Sequence, residues 1–91
     1  MRVVAVFEKD PQSVLDYEIN WTEWLKGDTI IVSQWTVEEG LIQDSNSFTD
    51  TITTVWFSGG TNQSRYEATN SIITGNGRAA DRTIRIKCKE K

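Results

Sequence analysis

Short runs of alternating apolar and polar residues, separated by breaks rich in glycine, asparagine and serine, occupy most of the chain. Alternation with period two marks a strand that buries one face. It is cleanest from Thr83 to Glu90, where Ile84, Ile86 and Cys88 fall on one side and Arg85, Lys87 and Lys89 on the other. Arg65 to Ile73 sets Tyr66, Ala68, Asn70 and Ile72 on one face, and Val14 to Ile19 sets Leu15, Tyr17 and Ile19 against Asp16 and Glu18. In Thr51 to Phe57, Val55 and Phe57 share one face while Ile52, Thr54 and Trp56 share the other. Val3–Phe7 reads as a first strand or as part of an N-terminal arm over residues 1–8, ended by the turn around Pro11. Asp28 to Val37 is β-rich without clean alternation, which predicts a central strand covered on both faces or one containing a bulge. Leu41-Ile42 reads as a short strand, and the polar run from Gln43 to Asp50 as a loop.

Asn20-Trp21-Thr22-Glu23 has the spacing of a capping box, with Asn20 as cap and Glu23 reaching back. Gly27 is placed to end that turn in left-handed geometry. A single turn is not stable alone, so Trp21, Trp24 and Leu25 are expected to tack it onto the sheets as a plug at one end of the core. Between the last two strands, Gly75-Asn76-Gly77 suggests a two-residue Asn-Gly hairpin. That loop would place Tyr66 opposite Lys87 and Ala68 opposite Arg85. Provided the two strands pair, their apolar faces coincide only with an odd-length loop or a G1-type bulge, with Gly77 left-handed. Six to seven short strands and one helical turn near residues 21–26 predict an all-β, antiparallel β-sandwich. Trp35 in a central strand and Tyr66 two residues before Ala68, at the start of a late strand, favour an immunoglobulin-like version without the disulfide.

Composition narrows the function. Ninety-one residues with 37% hydrophobic and 25% charged side chains suit one soluble domain over residues 1–91. The longest apolar run, Val3–Phe7, is too short for a membrane span or a signal-peptide core, so the chain is expected to be made and used without export. The only cysteine, Cys88, has no internal partner and alternates with isoleucines as a small buried hydrophobe would. Charge is unevenly divided. Residues 1–50 hold three basic and ten acidic side chains, and residues 51–91 hold seven basic and three acidic ones. Either the strands neutralise one another locally, or the folded surface is polarised in a way that suits head-to-tail contacts between copies.

Candidate chemistry is sparse. With no histidine, the usual general base and the commonest metal ligand are missing together. None of Ser13, Ser33, Ser58 and Ser64 sits in an S-x-x-K motif, and Gly59-Gly60 lacks the phosphate-loop pattern. Glu38-Glu39 side chains diverge in an extended chain and read as a solvated turn, and the acids near Asp44 and Asp50 lack calcium-loop spacing. No enzyme, cofactor or metal site is therefore expected. The basic row Arg85, Lys87, Lys89 and Lys91, joined by Arg78 and Arg82, is either edge-strand protection against aggregation or a contact for an acidic partner. An acidic chain without aromatics among these basic residues argues against nucleic acid. Trp56 is either buried between sheets or an exposed hot spot for a protein or a sugar.

The ordered set V-W-F-S-G-G-T (Val55 to Thr61), R-Y-E-A-T-N-S-I-I-T (Arg65 to Thr74) and G-R-A-A-D-R-T-I-R-I (Gly77 to Ile86) resembles the small tailed-phage and prophage proteins called phage fibre–tail adaptor proteins. Upstream, K-D-P-Q-S-V-L-D-Y-E-I-N-W (Lys9 to Trp21) and G-D-T-I (Gly27 to Ile30) are similar too. The resemblance implies a non-enzymatic, immunoglobulin-like virion component encoded among neck and tail genes. It implies contacts with neck, tail or fibre proteins and residence in the virion after assembly in the host bacterial cytoplasm; the acidic and basic halves and exposed edges suggest a ring of copies, and the short apolar runs no membrane partner. A small carbohydrate- or cell-surface-binding sandwich is the alternative. Candidate contacts are Trp56, Arg78, Arg82, Arg85, Lys87 and Lys89.

Overall fold

The computed structural model describes residues 3–90; Met1, Arg2 and Lys91, the last member of the basic row, lie outside the described residues. The described elements follow in the order β1 (Val3–Lys9), β2 (Leu15–Asn20), α1 (Thr22–Leu25), β3 (Ile30–Val37), β4 (Leu41–Phe48), β5 (Ile52–Gly59), β6 (Arg65–Thr74) and β7 (Ala79–Cys88). They form two sheets, β1-β7-β6-β3 and β2-β5-β4. All neighbours are antiparallel except β1 and β7, which run parallel. With β2 to β7 taken as strands B to G, the sheets are B-E-D and C-F-G, with β1 added beside G. That is the immunoglobulin-like sandwich.

The inner faces are the ones alternation picks out. Tyr17, Ile19, Val55 and Phe57 from one sheet meet Tyr66, Ala68, Ile72, Ile84, Ile86 and Cys88 from the other, all buried. Each fully buried aliphatic or aromatic side chain is worth roughly 1.5–3 kcal/mol. Tyr66 faces Ile86 and Ala68 faces Ile84, so the apolar faces of β6 and β7 coincide. The loop is correspondingly three residues long: Gly77 is left-handed (φ +83) and Thr74 N–H donates to Arg78 O at 2.8 Å. Because β6 and β7 do pair, parity excludes the two-residue Asn-Gly hairpin.

Two polar features lock the sheets together. Thr61 N–H donates to Tyr66 Oη at 3.0 Å, making the tyrosine corner at the start of β6. Asn70, fully buried on β6, accepts from Trp21 Nε1 (3.1 Å) and Thr53 Oγ1 (2.8 Å) and donates to Ser33 Oγ and Gln34 O (both 3.0 Å).

Four expectations need correction. β3 is an edge strand rather than a central one covered on both faces; of the two alternatives it is the bulge that holds, a register shift between Ile30 and Val32 breaking its alternation. Residues 43–48 are strand, not loop: β4 runs to Phe48 with only Leu41 buried, held by its ladder to β5. Trp35 of β3 accordingly lies in an edge strand rather than a central one, half-buried and edge-on to Phe57 at 6.3 Å, and the fully buried tryptophan is Trp21. Finally, no side chain caps α1. Asn20 Oδ1 instead accepts from the amide and hydroxyl of Thr22, and Lys26 (φ +51) takes the left-handed C-cap ahead of Gly27.

Candidate functional site

The outer faces of the two sheets differ in charge. On the β2-β5-β4 face, Trp56 lies between its cross-strand neighbours Asp16 and Ser45. Its side chain points away from Val55 and Phe57, and the residue is 41% exposed. Glu18 is one step along β2, opposite Thr54. Asp44 sits in the register shift of β4, where its carboxylate accepts from Ser58 Oγ at 3.1 Å. The three strands of this sheet carry Asp16, Glu18 and Asp44 and no basic residue. The acidic excess of the first half of the chain is thus not neutralised within this sheet; it becomes a surface.

The opposite face carries the basic row. Arg85 and Lys87 project outward from β7, Lys89 follows the strand, and Arg65 on β6 stands directly across from Lys87. β7 is hydrogen-bonded on both sides, to β1 and β6, so edge protection does not explain these charges. Arg85 pairs with Glu67 at 2.8 Å. Among the described residues Arg65, Lys87 and Lys89 have no ion pair. Exposed Val4 and Val6 of β1 border the row, Val6 as the cross-strand neighbour of Arg85.

Arg78 and Arg82 lie elsewhere, at the end closed by α1. Arg78 donates to Leu25 O (3.0 Å) and Trp24 O (2.9 Å), stacks 3.9 Å over the Trp24 ring and lies 3.6 Å from Asp28. A cation at the C-terminal carbonyls of a helical turn satisfies acceptors the helix cannot. A hydrogen bond from Thr74, backbone donors and the Arg78 charge hold the Asp28 carboxyl below its usual range, against a smaller opposing effect of burial. Arg82 stacks 4.3 Å over Trp21 and donates to Asn20 O at 3.2 Å. Both arginines therefore work as fasteners of the plug.

Sequence reasoning passed over Lys9. It continues the inward series Val3, Ala5, Phe7, is fully buried, and donates from Nζ to Asp10 O (2.9 Å) and to Gly59 O (2.8 Å), joining β1 to the other sheet. Counting the period two residues further would have found it. Near it, burial raises the Cys88 thiol above its ordinary range, as befits a packed, uncharged sulfur. Among the described residues no group of three or more cysteines or carboxylates is placed to hold a metal. Among the described residues no helix is long and apolar enough to cross a membrane.

Comparison with known families decides what kind of protein carries these faces. The family described as podophage GP4 fiber-tail adaptor protein gp77 matches residues 9–87, nearly the whole described chain. The chain belongs to this family. A fibre–tail adaptor is a structural part of a phage tail, which agrees with a molecule whose notable chemistry is spread over two outer faces. No curated protein matches the chain. The matched span of the gp77-type adaptor begins at Lys9 and ends at Lys87, so it takes in both sheets, the plug and the Trp56 face.

Proposed function

We propose that this gp77-type adaptor is a non-enzymatic part of a tailed-phage or prophage particle that joins neck, tail or fibre proteins through protein–protein contacts. The observation that carries this reading is family membership across residues 9–87. The geometry supports it: two flat faces of unlike charge on opposite sides of one sandwich give a joining piece two distinct surfaces. Trp56, Lys87 and Lys89 are the contact residues, with Arg85 shared between Glu67 and a partner. Arg78 and Arg82 support the contact surface indirectly by fixing α1. Several copies around the tail axis, assembled in the host cytoplasm, complete the proposal.

Removing the gene from a producing strain tests it. Particles lacking fibres or stalled before tail completion, rescued by the chain in trans, would support the role. Complete, infectious particles without it would sink it. The exposed Trp56 also suits a second reading, a carbohydrate-binding module. Tryptophan fluorescence titrated with host-surface oligosaccharides discriminates: a saturable change favours that module, and a flat response removes it.

A further inference from the structure

We propose that the acidic β2-β5-β4 face, centred on Trp56, is the docking site for the basic β7-β6 face of a second copy of the chain, so that copies join face to unlike face. The inference rests on the adaptor reading and says how the copies meet. The occupant follows from complementarity within the one chain. The receiving face bears Asp16, Glu18 and Asp44 around an exposed indole and has no basic side chain in its strands. The delivering face bears Arg65, Arg85, Lys87 and Lys89, interspersed with Glu8 across from Lys87, Glu67 paired to Arg85 and Asp81 near the start of β7; Arg65, Lys87 and Lys89 have no ion pair among the described residues. Exposed Val4 and Val6 lie beside that row, so an apolar strip stands ready for Trp56 next to the cations that would meet the acids.

Size allows it. The molecule measures 42 × 23 × 19 Å along its principal axes, so a sheet face approaches the roughly 800 Å² per partner that a stable interface needs. A surface tryptophan enclosed by polar residues is the usual anatomy of an interface hot spot. Because the two faces differ and lie on opposite sides, the contact is heterologous, and each joined pair leaves one acidic and one basic face unused. Such a contact closes into a ring where its rotation allows and otherwise continues as an open filament. The joint therefore generates a ring or a filament, not a two-fold dimer.

Sedimentation of the purified chain tests this. Self-association is expected to weaken at least ~10-fold between about 50 mM and about 500 mM salt, as charges at the joint are screened. Trp56→Ala is expected to weaken it by about 30-fold. The deciding experiment uses two charge-reversed chains, Asp16→Lys/Glu18→Lys and Arg65→Glu/Lys87→Glu. Each alone should sediment as a monomer with a wild-type unfolding midpoint, and an equimolar mixture should recover association because each reversed face then meets its opposite. A wild-type chain that stays monomeric at millimolar concentration, or a mixture that fails to recover, overturns the inference. If that monomer still enters particles, the adaptor reading stands and only the face-to-face joint falls.

Discussion

Asn70→Ala should unfold this sandwich more readily than any single aliphatic truncation in its core. Asn70 is completely buried and uses both ends of its amide: Trp21 Nε1 and Thr53 Oγ1 donate to the oxygen, and the nitrogen donates to Ser33 Oγ and Gln34 O. Truncation deprives the buried Trp21 indole N–H and Thr53 hydroxyl, and the part-buried Ser33 hydroxyl and Gln34 carbonyl, of this partner, at about 1–3 kcal/mol for each group that finds no other. The two hydroxyls can rotate toward other acceptors, so the sum expected is about 3–5 kcal/mol. A domain of this length has only about 5–13 kcal/mol in total. The melting midpoint should therefore fall by roughly 15–30 °C, at about 4–8 °C per kcal/mol. Urea unfolding followed by tryptophan fluorescence and calorimetry both read this directly. Asn70→Asp keeps the acceptor but loses two donor bonds and buries a charge, so it should be no better at neutral pH. A loss below about 1 kcal/mol for Asn70→Ala would refute the claim that this network couples the sheets.

Other outcomes follow from single residues. Arg78→Lys retains charge but cannot reach two carbonyls and stack on Trp24 at once; with the side chain 41% exposed, about 1–2 kcal/mol is expected, read as faster amide exchange from Leu25 to Asp28. Burial, aided by Cys88 and Asp16, pushes the Tyr17 phenol up to about 12, and its hydroxyl has no hydrogen-bond partner among the described residues. Because the folded value is the higher one, the Tyr17 contribution is intact below pH ~10 and lost as pH rises through the folded value near 12. Tyr17→Phe should therefore flatten the alkaline limb of stability against pH while costing nothing at pH 7. Gly40→Ala should cost about 1–3 kcal/mol, because Gly40 has φ +106 and an added Cβ would lie 2.7 Å from Tyr66 Cε1. Loss of the Thr61–Tyr66 bond, seen in amide exchange at Thr61, would accompany it.

Strand positions that bury a face were legible in the chain, and those that do not were hidden. Alternation gave the inner faces of β2, β5, β6 and β7, because one misplaced residue there would move a whole apolar set into water. Parity disfavoured the short hairpin at Gly75 to Gly77 only if the two strands paired, and their pairing came from the fold. Only the start of β4, Leu41-Ile42, was legible; its continuation escaped notice since Q-D-S-N-S is held by backbone bonds to β5, and its side chains scarcely enter the core. Trp35 was placed in a central strand, which proved to be an edge strand, and the fully buried tryptophan is Trp21, whose indole N–H finds Asn70 and whose face finds Arg82. Arg78 and Arg82 looked like members of one basic row with Arg85, Lys87 and Lys89. Only the fold reveals that two of them turn toward α1 and the others face solvent. The charge division by sequence was visible, but its outcome depended on strand order. β7 turned out to lie inside its sheet, which left the lysines without the edge-guarding role.

The most direct test of the adaptor role is quantitative mass spectrometry of gradient-purified particles, made with the wild-type chain or with Trp56→Ala combined with Asp16→Lys and Glu18→Lys. A protein that joins tail parts through its sheet faces should be present in fixed ratio to the tail proteins in wild-type particles. The altered chain, folded to the same midpoint, should be depleted at least ~10-fold, and fibre proteins should be lost with it. Undiminished incorporation of the altered chain, with fibres retained, would contradict a role for the Trp56 face; absence of the wild-type chain from complete particles would contradict the adaptor role itself.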